Sequence, residues 1–110
     1  MTVKELASKL SLTFLSGEEI SSRREIDGCY CGDLLSWVMG RAQSGDAWIT
    51  IMSNANIVAV AALADTACII AAEGVEIPAD VCKTAEEKGV NILSFPGSAY
   101  DAAVTLHSLL

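Results

Sequence analysis

A handful of side chains in this sequence have types and spacings that invite chemistry. Gly40-Arg41-Ala42-Gln43-Ser44-Gly45 carries the glycine spacing of a phosphate-binding loop. Such a loop needs a Lys to reach the phosphates and a Ser or Thr to hold magnesium, and Asp46 and Ala47 stand in those places. The segment also follows a helical pattern instead of a strand, so it reads as a helix stop and a turn. Neither ATP hydrolysis nor protein phosphorylation is expected of it.

Cys29 and Cys31 are spaced to share a soft metal. A structural zinc takes four ligands, however, and Cys68, Cys82 and His107 fall in unrelated elements without paired spacing. Free thiols and no metal are therefore expected. His107, the single histidine, has no nucleophile paired with it in sequence, and Glu18-Glu19 and Glu86-Glu87 read as solvated surface because adjacent side chains diverge. No cofactor is called for.

Three short polar segments are more informative: Ser53-Asn54-Ala55-Asn56, Glu73-Gly74 and Pro96-Gly97-Ser98. Each follows a strand-like run and precedes a helix-like one. In a parallel α/β sheet such loops gather on one edge, where helix N-termini turn free N–H groups toward a ligand. The same residues also serve as caps and turns, so their types alone leave both roles open. Ser53, Asn54, Asn56, Glu73, Gly74, Pro96, Gly97 and Ser98 are the candidate ligand-binding residues. Glu73 would favour a cationic or hydrogen-bond-donating group over a bare phosphate, because a buried carboxylate needs a partner.

The elements that must position these loops follow from periodicity. Thr2 and Glu5 have capping-box spacing ahead of a face made by Val3, Leu6, Ala7 and Leu10. Leu12 to Leu15 reads as a strand and Ser21 to Tyr30 as an extended segment. From Gly32 a β-α rhythm sets in. Asp33 is placed to cap a helix with Leu34, Leu35, Val38, Met39 and Ala42 on its apolar face. Strands are expected at Trp48 to Met52, Cys68 to Ala72 and Asn91 to Phe95. Helices follow them, with Ser53 and Asn54 as caps for Ile57, Val58, Ala61 and Ala62, Pro78 in the first turn of a helix stopping at Gly89, and Ser98 capping the last. The expected fold is a single α/β domain over 1–110, with a mostly parallel sheet, right-handed crossovers and helices packed around it. Within it, 1–31 form a variable N-terminal helix and strands, and 32–110 the β-α core.

Composition narrows the functions. The 110 residues suit one domain, and 52% hydrophobic with only 5% aromatic content means a core of Ala, Val, Ile and Leu. Fourteen acids face seven bases, and beyond Gly45 the only bases are Lys83 and Lys88, so nucleic acid is not an expected partner. The longest apolar stretch, Ile57 to Ala72, is interrupted by Asp65 and Thr66, and the N-terminus lacks a basic region followed by an apolar run. No membrane association and a cytoplasmic address are expected.

From Gly32 to Leu110 the order of Gly32-Asp33-Leu34-Leu35-Ser36, Asp46-Ala47-Trp48-Ile49-Thr50-Ile51, Ser53-Asn54-Ala55-Asn56-Ile57-Val58, Cys68-Ile69-Ile70 and Gly89-Val90-Asn91-Ile92-Leu93 resembles a DRTGG domain. That family occurs in phosphotransacetylases and CBS-domain pyrophosphatases, and its fold is similar to the N-terminal domain of HPr kinase/phosphatase. The resemblance implies an accessory α/β domain that dimerises and regulates without catalytic residues of its own. Ser53-Asn54 stands where the family has Asp-Arg, and Ala72-Glu73-Gly74 where it has Thr-Gly-Gly.

The expectation drawn from all this is a stand-alone regulatory, ligand-sensing or protein-interaction domain. The alternatives are a small enzyme whose site assembles only in space, and a structural accessory subunit of a larger metabolic enzyme. A homodimer is expected, because hydrophobic content this high is unusual for so small a core. Trp37, Met39 and the Leu106 to Leu110 end are the groups nearest its interface.

Overall fold

A computed structural model describes residues 1–110 as three layers, with helices on both faces of one five-stranded sheet. The elements are α1 (Val3–Leu10), β1 (Thr13–Ser16), a 3-10 turn (Glu18–Arg23), β2 (Gly28–Cys31), α2 (Leu35–Arg41), β3 (Asp46–Thr50), α3 (Asn56–Ala64), β4 (Cys68–Ala71), α4 (Ala79–Lys88), β5 (Ile92–Ser94) and α5 (Ala99–Leu109). The sheet order is β1-β5-β4-β3-β2. Strands β2 to β5 pair in parallel, and β1 closes the far edge antiparallel to β5 with a register shift between Phe14 and Ser16.

Strand periodicity distributes the core. Successive side chains point to opposite faces, so Ala47, Ile49, Cys68, Ile70 and Leu93 meet Val3, Leu6 and Leu10 of α1 and Ala102 and Leu106 of α5. The intervening Trp48, Ile69 and Ile92 meet Val38, Ile57, Val58, Ala61, Val81 and Ala85 of α2, α3 and α4. Strands β3 and β4 are buried throughout, as parallel strands covered on both faces are; β4 is wholly apolar, and in β3 the apolar Ala47 to Ile49 stand between buried Asp46 and Thr50.

Several boundaries differ from the sequence expectation for identifiable reasons. The α1 capping box forms as its spacing indicates: Thr2 Oγ1 accepts from Glu5 N at 3.1 Å, and Glu5 Oε1 accepts from Thr2 N at 3.0 Å. That bond to Thr2 holds the Glu5 carboxyl below its ordinary range. The expected strand at Trp48 to Met52 begins earlier, at Asp46, because Gly45 N donates to Asp65 O at 2.9 Å and turns the chain into the sheet before Trp48. Pro78 sits at the N-cap of α4, one residue outside its first turn. Leu106, expected near an interface, is fully buried in the core. No helix is long and apolar enough to cross a membrane.

Candidate functional site

The parallel strands deliver four connections to one edge of the sheet: Gly32-Asp33 after β2, Ile51 to Ala55 after β3, Ala72 to Gly74 after β4 and Phe95 to Ser98 after β5. Two of the three segments singled out by sequence are bonded to each other. Glu73 N donates to Gly97 O at 2.8 Å and Gly74 N to Phe95 O at 3.1 Å. The Glu73 carboxylate lies at the surface and accepts from Ala99 N at 3.2 Å, so it caps α5 together with Ser98, whose Oγ accepts from Asp101 N at 3.0 Å. Glu73 is therefore not the buried, unpaired carboxylate that the sequence argument assumed. Its left-handed φ of 63° is followed by 67° at Gly74, a pair of conformations that glycines adopt without steric cost.

The Ser53 to Asn56 segment is organised by itself. Asn54 Oδ1 accepts from Asn56 N at 2.9 Å, a local turn, while α3 takes Ala55 as its N-cap and receives no side-chain cap. The expectation that Ser53 and Asn54 cap α3 is corrected accordingly: Asn54 bends the chain one residue before the N-cap. Asn56 instead lines a shallow groove of about 440 Å³ with Leu35, Ser36, Met39, Ala59 and Val60, between α2 and α3.

Asp33 is the residue of this edge that sequence reasoning placed wrongly. It was expected to cap α2, but α2 starts after Leu34 without a side-chain cap. The Asp33 carboxylate turns across the sheet instead, and its Oδ1 accepts from Thr50 Oγ1 at 2.8 Å and from Ile51 N at 2.9 Å. Thr50 Oγ1 in turn accepts from Met52 N at 3.2 Å, which fixes the exit of β3. Trp48 holds the same connection from below, its Nε1 donating to Gly32 O at 2.8 Å. Beside these groups lies a cavity of about 220 Å³ lined by Cys31, Gly32, Asp33, Ile49, Thr50, Ile51 and Ala99. A spacing-based signal could not distinguish this Asp from a helix cap, because Asp before an apolar run fits both.

The remaining sequence candidates separate. Gly40 to Gly45 is the end of α2 and a turn in which Gln43 N donates to Asp46 Oδ2 at 2.8 Å and Gly45 takes φ 87°. Cys29 and Cys31 lie on β2 with sulfurs 3.9 Å apart, and no group of three or more His, Cys, Asp or Glu side chains is placed to hold a metal. All four cysteines are free thiols. Cys29 is pushed up to about 12, by burial of its thiol first and by Cys31 next, although part of the residue reaches the surface. Burial likewise raises Cys68 to about 12. His107 is exposed on α5, and Glu86 binds Gly17 N at 3.2 Å as a structural tie.

Residues 5–109 match the family model of the DRTGG domain. The chain belongs to the DRTGG domain family. No curated protein sequence matches this DRTGG domain. Among solved structures it is similar to the CBS and DRTGG domains of the regulatory region of Clostridium perfringens pyrophosphatase, crystallised with its activator diadenosine tetraphosphate. The similarity has a TM-score of 0.67 at 14% identity and covers 94% of this chain and 44% of the other. The domain thus spans less than half of that regulatory chain. Its two departures from the motif that names the family, Ser53-Asn54 and Ala72-Glu73-Gly74, both fall on the loop edge just described.

Proposed function

We propose that this DRTGG domain is a regulatory, ligand-sensing module without catalysis of its own, receiving a small polar molecule at the loop edge of its sheet and passing the signal through a protein interface. The observation that carries this reading is the match of nearly the whole chain to a domain found in the regulatory region of another enzyme. Ser53, Asn54, Asn56, Glu73, Gly74, Pro96, Gly97 and Ser98 are the proposed contacts, with Asp33 added from its place beside them. The loop segments 51–56, 72–78 and 95–98 contain no Lys or Arg, so their acids favour a ligand that donates hydrogen bonds.

Thermal melting in the presence of amino acids, nucleosides and nucleotides, diadenosine tetraphosphate included, tests this. A ligand at about a hundred times its Kd adds about 2.7 kcal/mol of stability and raises Tm by roughly 10 °C in a domain of this size. Asn54→Ala and Glu73→Gln should each weaken binding of the responding compound by about 1–3 kcal/mol, the scale for losing a bond to a buried or charged group. Unchanged affinity in both folded variants would place the ligand elsewhere.

Exposed apolar residues support the protein-interaction side of the reading. On and just before α2, Leu34 is 58% exposed, Trp37 52% and Met39 40%, and the Arg41 guanidinium lies 3.7 Å over the Trp37 ring. We place a homodimer interface there, in a cytoplasmic protein. Light scattering at micromolar concentration should give twice the chain mass of 11.5 kDa, and Trp37→Lys should halve it. A wild-type mass equal to one chain removes the dimer.

A further inference from the structure

The edge of the sheet opposite those loops holds another concavity, of about 370 Å³, between the 3-10 turn and the C-terminal ends of α3 and α4. Its lining draws on residues remote in sequence, including Arg23, Arg24, Asp65, Thr66, Lys88 and Asn91. The chain has only seven Lys and Arg against fourteen acids, yet three of the seven bases line this pocket with a single acid. That acid is already matched: Arg24 donates from Nη1 to Asp65 Oδ1 at 2.9 Å and from Nη2 to Asp65 O at 2.6 Å. Ser44 Oγ also bonds the Asp65 carboxylate. Arg23 and Lys88 make no salt bridge, so the pocket carries two uncommitted positive charges.

Two polar side chains of the lining are unpaired. Asn91 is 97% buried and lines the pocket, and its Oδ1 has no hydrogen-bond partner; Thr66 Oγ1 is buried and unpartnered as well. Buried polar atoms left unpaired cost about 1–3 kcal/mol each, so natural proteins rarely keep two in one place without use. Space for the carboxamide is provided by Gly17, where a Cβ would stand 2.6 Å from Asn91 Oδ1. The C-terminal carbonyls of the two helices do not add free negative ends, because Asp65 N and Thr66 N bond Ala62 O and Ala61 O, and Gly89 N and Val90 N bond Glu86 O and Ala85 O. The two helix dipoles oppose an anion by about half a charge each, which leaves the two free cations in excess.

We propose that this pocket is a binding site for a small phosphomonoester that also carries hydroxyl groups. The phosphate, negatively charged near neutral pH, pairs with Arg23 and Lys88, whose charge exceeds the opposing helix dipoles. The Thr66 hydroxyl and the Asn91 carboxamide, covered in the free domain with Asn91 Oδ1 toward Gly17, must rotate about their own side-chain bonds to meet the ligand's hydroxyls, and Ile20 and Ala62 supply an apolar wall. The site lies on the opposite side of the sheet from the loop edge, so it stands whether or not the loop-edge reading holds.

Amide-resolved NMR titration of the full chain with ribose 5-phosphate, inorganic phosphate and ribose as probes decides it. Ribose 5-phosphate is expected to shift the amides of Thr66, Gly89 and Asn91 saturably below about 10 mM, more tightly than inorganic phosphate, with ribose inactive. Exposed Arg23 and Lys88 tolerate substitution, and R23S combined with K88S should weaken binding about tenfold or more. Lys83→Ser, on the same helix and outside the pocket, should leave binding unchanged. The proposal is overturned by the absence of saturable shifts, by shifts confined to the loop edge, by ribose 5-phosphate binding no tighter than inorganic phosphate, by unchanged affinity in the double variant, or by an equal loss in Lys83→Ser.

Discussion

Trp48→Ala is expected to remove about 3–5 kcal/mol of stability, the range for deleting a large aromatic side chain from a packed core. Trp48 is completely buried, the largest side chain of the core that is, and it stands at the centre of the sheet face covered by α2, α3 and α4. With natural domains stable by about 5–15 kcal/mol, such a loss takes much of the reserve and lowers Tm by roughly 15 °C. Trp48→Phe separates packing from bonding. It keeps most of the volume but frees Gly32 O from its 2.8 Å bond to the indole, and should cost about 1–2 kcal/mol. Far-ultraviolet circular dichroism is the appropriate probe, since Trp37 confuses fluorescence. A loss under about 1 kcal/mol in the alanine variant would show that α2 closes over the space, and the packing argument would fail.

Much of this architecture was legible because local signals and tertiary demands coincide. From Asp46 onward each strand is built on a short apolar run, each is followed by turn chemistry, and the stops at Gly45, Gly74 and Gly89 adopt the left-handed conformations glycine favours. The first thirty residues were less legible. The strands β1 and β2 are four residues each, and only pairing with β5 and β3 makes them strands at all. The loop edge could be foreseen as a place, because parallel order alone brings the segments at 53, 73 and 96 to one side. Which groups are free there could not, since that depends on partners distant in sequence: Glu73 finds Ala99 N, and Asp33 finds Thr50. The pocket on the opposite edge was invisible for the same reason, as Arg23 and Lys88 reach it from two elements that no motif connects.

Asp33→Ala should destabilise the domain by about 2 kcal/mol and also weaken any ligand held at the loop edge. One carboxylate oxygen accepts two bonds, from the Thr50 hydroxyl and the Ile51 amide, and hydrogen bonds to charged groups contribute about 1.5–3 kcal/mol when well shielded. Asp33 itself is exposed, so water screens much of that and brings the two bonds together down to about 2 kcal/mol. Thr50 is only 1% exposed, and without Asp33 its hydroxyl loses its acceptor. The chain leaving β3 then loses its anchor just before Ser53 and Asn54, the first of the proposed ligand contacts. Asp33→Asn distinguishes charge from geometry, because the amide keeps an oxygen with two lone pairs where Oδ1 stood. If position is what matters, the asparagine variant should lie within about 1 kcal/mol of the parent while alanine loses about twice that. Urea unfolding of the three proteins measures it. Equal losses in the two variants would mean that the negative charge, and not the fixed acceptor, holds the end of β3 in place.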